Sequence, residues 1–104
     1  MKNSGDLVMA KLPSFDTYYD YASSNYGAHA LVFADAEGNR YWFSYKTLVA
    51  FHGPNGRRVL KNYWSTTTGK HLNAIDNGNK RERLTRAEFE AAFKKDFGRE
   101  LKTA

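Results

Sequence analysis

Phe15, Tyr18, Tyr19, Ala22 and Tyr26 recur at spacings that bring them to one side of a helix, so the first hydrophobic pattern predicts a helix over residues 15–26. Ser14 is the expected N-cap after Pro13, Asp16 suits the positive end of the helix dipole, and Asn25 with Gly27 provides a stop. The period then shortens. Residues 29–34 and 40–45 are rich in β-branched and aromatic side chains and flank a polar turn at 35–39, which reads as a hairpin. Residues 48–52 and 57–61 repeat the arrangement around a turn in which Asn55 and Gly56 tolerate positive φ. Two linked hairpins predict a four-stranded antiparallel meander. Residues 7–12 offer a fifth, edge strand, which Pro13 would end.

Three threonines, Thr66 to Thr68, favour a strand or a cap, whereas Leu72 and Ile75 sit at helical spacing; a strand end turning into a short helix is expected there. Residues 76–83 form a polar loop. The closing helix has the fullest set of local signals. Thr85 with Glu88 makes a capping box, Leu84 and Phe89 can form a hydrophobic staple, Phe89, Ala92, Phe93 and Phe97 make a buried stripe, and Gly98 stops the helix. The expected architecture is a single α+β domain over residues 1–104. In it a four-stranded, or five-stranded, antiparallel sheet carries an N-terminal helix and a C-terminal amphipathic helix on one face, with the other face partly open.

Composition agrees with one domain. A chain of 104 residues removes roughly two thirds of its unfolded surface from water on folding, and 41% hydrophobic with 26% charged residues is ordinary for a globular protein. Seven Phe, seven Tyr and two Trp allow a core to be built from few residues. There is no cysteine, which excludes disulfides, thiolate catalysis and Cys-ligated metal sites. No stretch resembles a signal peptide or a membrane span, so a cytoplasmic protein with no membrane partner is expected.

Charge alters the picture more than composition does. Residues 40–75 carry Arg40, Lys46, Arg57, Arg58, Lys61 and Lys70 with no acidic residue, and seven aromatics are interleaved among them. Net charges of residues 1–39, 40–75 and 76–104 are −3, +6 and +2. Clustered cations attract and steer polyanions. Strand alternation puts Tyr41, Phe43 and Tyr45 on one face and Arg40, Trp42 and Ser44 on the other. One face must be core; the other is either a platform on which bases stack while cations hold phosphates, or a second covered face.

Other chemistry finds little support. Gly69-Lys70 after a threonine run has the look of a phosphate loop, but the pattern requires Gly where Trp64 stands and Ser or Thr where His71 stands. What remains is an anion site of hydroxyls and N–H groups at a helix start beside Lys70, against the simpler alternative that Thr66 or Thr67 caps the helix. His29, His52 and His71 lack companion carboxylates for a metal. Ser65, His71 and Asp76 could formally make a nucleophilic triad but carry no accompanying elbow.

The strings from Tyr41 to Phe51 and from Trp64 to Asn73 resemble short, uncharacterised, largely bacteriophage-encoded proteins with a Trp-Ser-x-Thr-Thr-x-Lys-His segment. The likeness spans residues 29–97 and leaves out the tyrosine-rich N-terminal stretch. It implies origin and assigns no residue a role. The reading that follows is a small non-enzymatic phage-type accessory protein, without cofactor or metal, binding nucleic acid with little sequence preference. Arg40, Trp42, Arg57, Arg58, Lys61, Trp64, Thr67, Lys70 and His71 are its candidate contacts. The alternative is a modulator that binds a host protein through the same aromatic and arginine-rich surface.

Overall fold

The computed structural model describes residues 12–19 and 29–102. Five strands, β1 (Ser14–Thr17), β2 (Ala30–Ala34), β3 (Arg40–Ser44), β4 (Thr47–Gly53) and β5 (Gly56–Val59), pair in sequence order as an antiparallel meander. Helix α1 (Thr66–Asp76), a 3-10 turn at Lys80–Glu82 and helix α2 (Arg86–Phe97) follow. The α+β class and the two expected hairpins are observed. At the second hairpin Gly56, with φ 99°, takes the positive backbone angle.

The start of the expected N-terminal helix is instead the fifth strand. Ser14 to Thr17 pair with Ala34 to Leu31, Phe15 lying opposite Phe33. β2 would otherwise present an unpaired edge, and its backbone groups satisfy those of a segment whose Tyr, Ser and Thr residues are weak helix formers. Tyr18 and Tyr19 are in no helix, and residues 20–26 of that expected helix lie outside the described residues, as do residues 7–11 of the expected edge strand; Leu12 is not in a strand.

The two described helices, α1 and α2, cover opposite faces of the sheet. Trp42, Ala50 and Val59 share a face and pack with Val49 against Leu72 and Ile75 of α1. Their neighbours in the alternation, Tyr41 and Phe51, point the other way, where Phe51 and Leu60 pack on Phe89 of α2. A bulge keeps the first cluster dense. Trp42 is opposite Ala50 but Phe43 is opposite Leu48, so Val49 is the extra residue and is buried beside Ala50 instead of alternating away from it.

Each helix begins and ends for identifiable reasons. Ser65, not Thr66 or Thr67, is the N-cap residue of α1, and its side chain makes no capping bond. Asn77 with φ 56° and Gly78 with φ 79° turn the chain back after α1. In α2 the capping box is complete: the Glu88 amide donates to Thr85 Oγ1, the Thr85 amide donates to Glu88 Oε1, and Gly98 closes the helix with φ 68°.

Candidate nucleic-acid interface

Beyond β5 the sheet edge is closed by the chain leading into α2. Leu60 and Leu84 form a parallel bridge, with the Lys61 amide donating to the Leu84 carbonyl and the Leu84 amide to the Val59 carbonyl. This brings the 3-10 turn alongside Lys61 and lays Arg83 across the end of α1. There the Arg83 guanidinium donates through Nε to Asp76 Oδ2 at 2.7 Å, and through Nη2 to Asp76 Oδ1 and to Asn73 Oδ1, each at 2.9 Å. Both charged residues are buried. Burial raises the Asp76 pKa, but the Arg83 hydrogen bonds and charge, the Gly78 amide and the Arg57 charge together hold it below the usual aspartate value.

Lys61, Asn62, Gly69, Asn73, Lys80 and Arg83 line a groove of about 350 Å³ between α1, the end of β5 and the 3-10 turn. Its lining is rich in donors. Among the described residues, the only carboxylate bonded to a lining residue is Asp76, which is engaged by Arg83 and the Gly78 amide. Asn73 Oδ1 already accepts from Arg83 and Asn62 Oδ1 from the Trp64 amide, so each side-chain carbonyl has one hydrogen bond. Gly69 keeps one wall low; a Cβ there would come within 3.1 Å of Asn62 Nδ2.

The residues expected from sequence divide into two groups. Lys61 is in the groove, and Lys70 is exposed on α1 next to Gly69. Arg57 and Arg58 line the neighbouring hollow of about 300 Å³ with Asn79 and Glu82. Arg57 Nη1 also donates to the Ile75 carbonyl at 2.8 Å, where a cation suits the negative end of α1. Arg40 pairs across the sheet with His52, and His52 with Arg57, so the three form a row on one face. Thr67 is half-buried in the first turn of α1. The second group is taken into the interior: Trp42 is only 8% exposed, in the core beneath α1, and His71 is fully buried. Trp64 is half-buried between the two clusters. Lys80, Arg83, Asn62 and Asn73 were missed. Lys80 and Arg83 stand outside the acid-free segment, and only the return of the chain along β5 brings them to Lys61.

His71 anchors a separate polar cluster. Its Nδ1 lies 2.7 Å from Ser44 Oγ, which shares a second hydrogen bond with Thr68 Oγ1 at 3.1 Å. The rings of Tyr18, Tyr19 and Tyr45 surround it at 5.7–6.0 Å. Tyr45 leaves its expected strand face to do so, adopting φ 58° at the β3–β4 turn and stacking on His29. The Ser65, His71 and Asp76 triad does not assemble, because the Nδ1 partner comes from β3 and Asp76 is engaged by Arg83. Among the described residues, no three His, Asp or Glu side chains cluster as metal ligands.

Burial lowers the His71 pKa. The unfolded chain therefore takes up this proton at a higher pH than the folded chain does. The resulting stability is complete above about pH 6.5 and is lost as pH falls through the lower folded value. A series of thermal melts should show the midpoint falling as pH drops below about 6.5. His71→Gln should flatten that decline, and an equal slope in the variant would remove His71 as its source.

Exposed aromatics lie elsewhere. On the part of the sheet that α2 leaves open, Phe15, Leu31, Phe33, Tyr41 and Phe43 form a shallow apolar face, with Phe15 73% exposed. Asp35 lines its edge and accepts from the Glu37 and Asn39 amides, from Asn39 Nδ2 and from the Tyr41 hydroxyl, while the charges of Glu37 and Arg99 also reach Tyr41. Cations and exposed aromatics are thus largely segregated, where sequence reading placed them on one surface. Tyr63 and Tyr45 are exceptions: Tyr63 is exposed at the groove end of the sheet with the Arg86 guanidinium 4.5 Å above its ring, and Tyr45 is exposed at the β3–β4 turn next to exposed Lys46.

No helix of the described residues is long and apolar enough to cross a membrane. No curated protein and no solved structure matches the chain. A family model does match, over residues 14–91, taking in all five strands, α1, the groove-lining turn and the first half of α2. The chain belongs to that family, a family of unknown function designated DUF8033.

Proposed function

We propose that this is a small non-enzymatic accessory protein, of the phage type that its Trp64 to His71 segment resembles, which binds the phosphate backbone of nucleic acid with little sequence preference. The observation that carries the reading is the donor-lined groove at Lys61, Lys80 and Arg83, continued by the hollow at Arg57 and Arg58. Backbone phosphates carry no base information, so a surface of this kind favours affinity over sequence. The separation of cations from most exposed aromatics favours backbone contacts over extensive base stacking.

If about four phosphates are neutralised, a fourfold rise in salt should weaken duplex binding by about a hundredfold. Titration of labelled single-stranded and duplex DNA at two salt concentrations checks this, and an absence of binding at low salt removes the reading. A second reading, a modulator of a host protein, is favoured by the apolar face at Phe15 and Phe33. Capture from host lysate that survives nuclease, and is lost in Phe15→Ser, would support it over the first.

A further inference from the structure

Backbone binding alone calls for cations along a track, yet three of them meet in one concavity. Lys61 arrives from the end of β5, Lys80 from the 3-10 turn, and Arg83 from the segment that returns along the sheet edge. Resting on the nucleic-acid reading, we infer that this groove is a discrete site for a phosphate monoester, such as the terminal phosphate of a nucleic-acid strand.

The charge balance favours a monoester over a backbone diester. Arg83 is ion-paired with Asp76, whereas Lys61 and Lys80 of the lining make no ion pair among the described residues. A monoester approaches a charge of about −2 near pH 7, whereas a backbone diester carries only one negative charge. Glu88, whose Oε1 accepts from the Thr85 amide and hydroxyl in the helix cap, is close enough to feel the charge of Lys61 and offsets part of it. Glu82 lines the adjacent hollow with Arg57 and Arg58.

Donor geometry points the same way. Asn73 gives its Oδ1 to Arg83, so its Nδ2 hydrogens remain for a ligand oxygen. Arg83 uses Nε and Nη2 on Asp76 and Asn73, while Nη1 makes no hydrogen bond among the described residues. A buried guanidinium fixed by a carboxylate presents its remaining donors without further loss of side-chain freedom. The volume of about 350 Å³ lies at the small end of ligand sites, roughly 300–1,000 Å³, enough for a phosphate with part of its nucleoside.

The test compares two oligonucleotides of one sequence, with a 5′-phosphate and with a 5′-hydroxyl, and adds a nucleoside 5′-monophosphate against its nucleoside. Fluorescence titration should show the phosphorylated strand binding about tenfold more tightly, the worth of one charged hydrogen bond. Lys61→Gln/Lys80→Gln, at two exposed positions, should erase that preference. Arg58→Gln/Lys70→Gln should weaken both strands alike and keep it. Equal binding of the two strands by wild type, or a preference that survives in the Lys61/Lys80 variant, overturns the monoester site while leaving the nucleic-acid reading standing. If neither strand binds but the nucleoside monophosphate does, and needs both lysines, the site stands for free nucleotide and the nucleic-acid reading falls.

Discussion

Replacing Arg83 with Met should destabilise the protein by about 3–5 kcal/mol, because it leaves the Asp76 carboxylate buried without the partner that compensates its desolvation. Both side chains are almost completely enclosed and the pairing is two-pronged, which separates this ion pair from exposed ones of little consequence. Urea unfolding should show the loss directly. Asp76→Leu combined with Arg83→Met should recover much of it, since the pair is then replaced by apolar groups and no charge is stranded. A single variant that melts like wild type would mean that the carboxylate reaches water.

Acid gives a second view of the same pair. Folding depresses the Asp76 pKa, so its contribution is complete above the ordinary aspartate value of about 3.9 and disappears as pH falls through the lower folded value. Wild type should lose stability below about pH 4 on this account. Asp76→Asn removes the titrating group and should lack that lower step.

Phe89→Ala is the other large effect, again about 3–5 kcal/mol. Phe89 is fully buried on α2 and its ring centroid lies 5.1 Å from that of Phe51, itself fully buried on β4. Phe93 and Phe97 also meet Phe51, at 5.3 and 5.6 Å, so these rings form one aromatic cluster in which a cavity at Phe89 cannot collapse cheaply. For a domain near this size the melting temperature should fall by at least about 12 °C. Phe33→Ala, on the open apolar face, should change it little. Equal effects at the two positions would refute the assignment of α2 to the β4–β5 half of that face.

The hairpins were legible because strand periodicity and turn chemistry coincide there: alternating β-formers on either side of Asp35 to Asn39 and of Gly53 to Gly56 leave few other pairings. The α2 helix was legible because its cap is local, with both halves of the Thr85 and Glu88 exchange three residues apart. Residues 15–17 misled because Phe15 fits a helical face as readily as a strand. A four-residue segment is decided by the partner it finds, here the edge of β2.

The groove lay largely beyond the reach of sequence pattern. The acid-free run correctly marked Lys61 and its neighbours as a concentration of charge, but a count along the chain cannot see that Lys80 and Arg83 return to them through the Leu60 and Leu84 bridge. Nor could it foresee that Arg83 spends its charge on Asp76, since ion pairing depends on the reversal at Asn77 and Gly78. Trp42 and His71 show the same division. Their chemistry marked them as candidates for a ligand, yet strand parity and the packing of α1 placed both inside. Local periodicity and capping therefore determined the hairpins, the closing helix and the amount of positive charge. The faces on which the helices pack, the fate of each aromatic and the meeting of cations in one groove were decided by tertiary structure, because burial and charge pairing are set by residues distant in the chain.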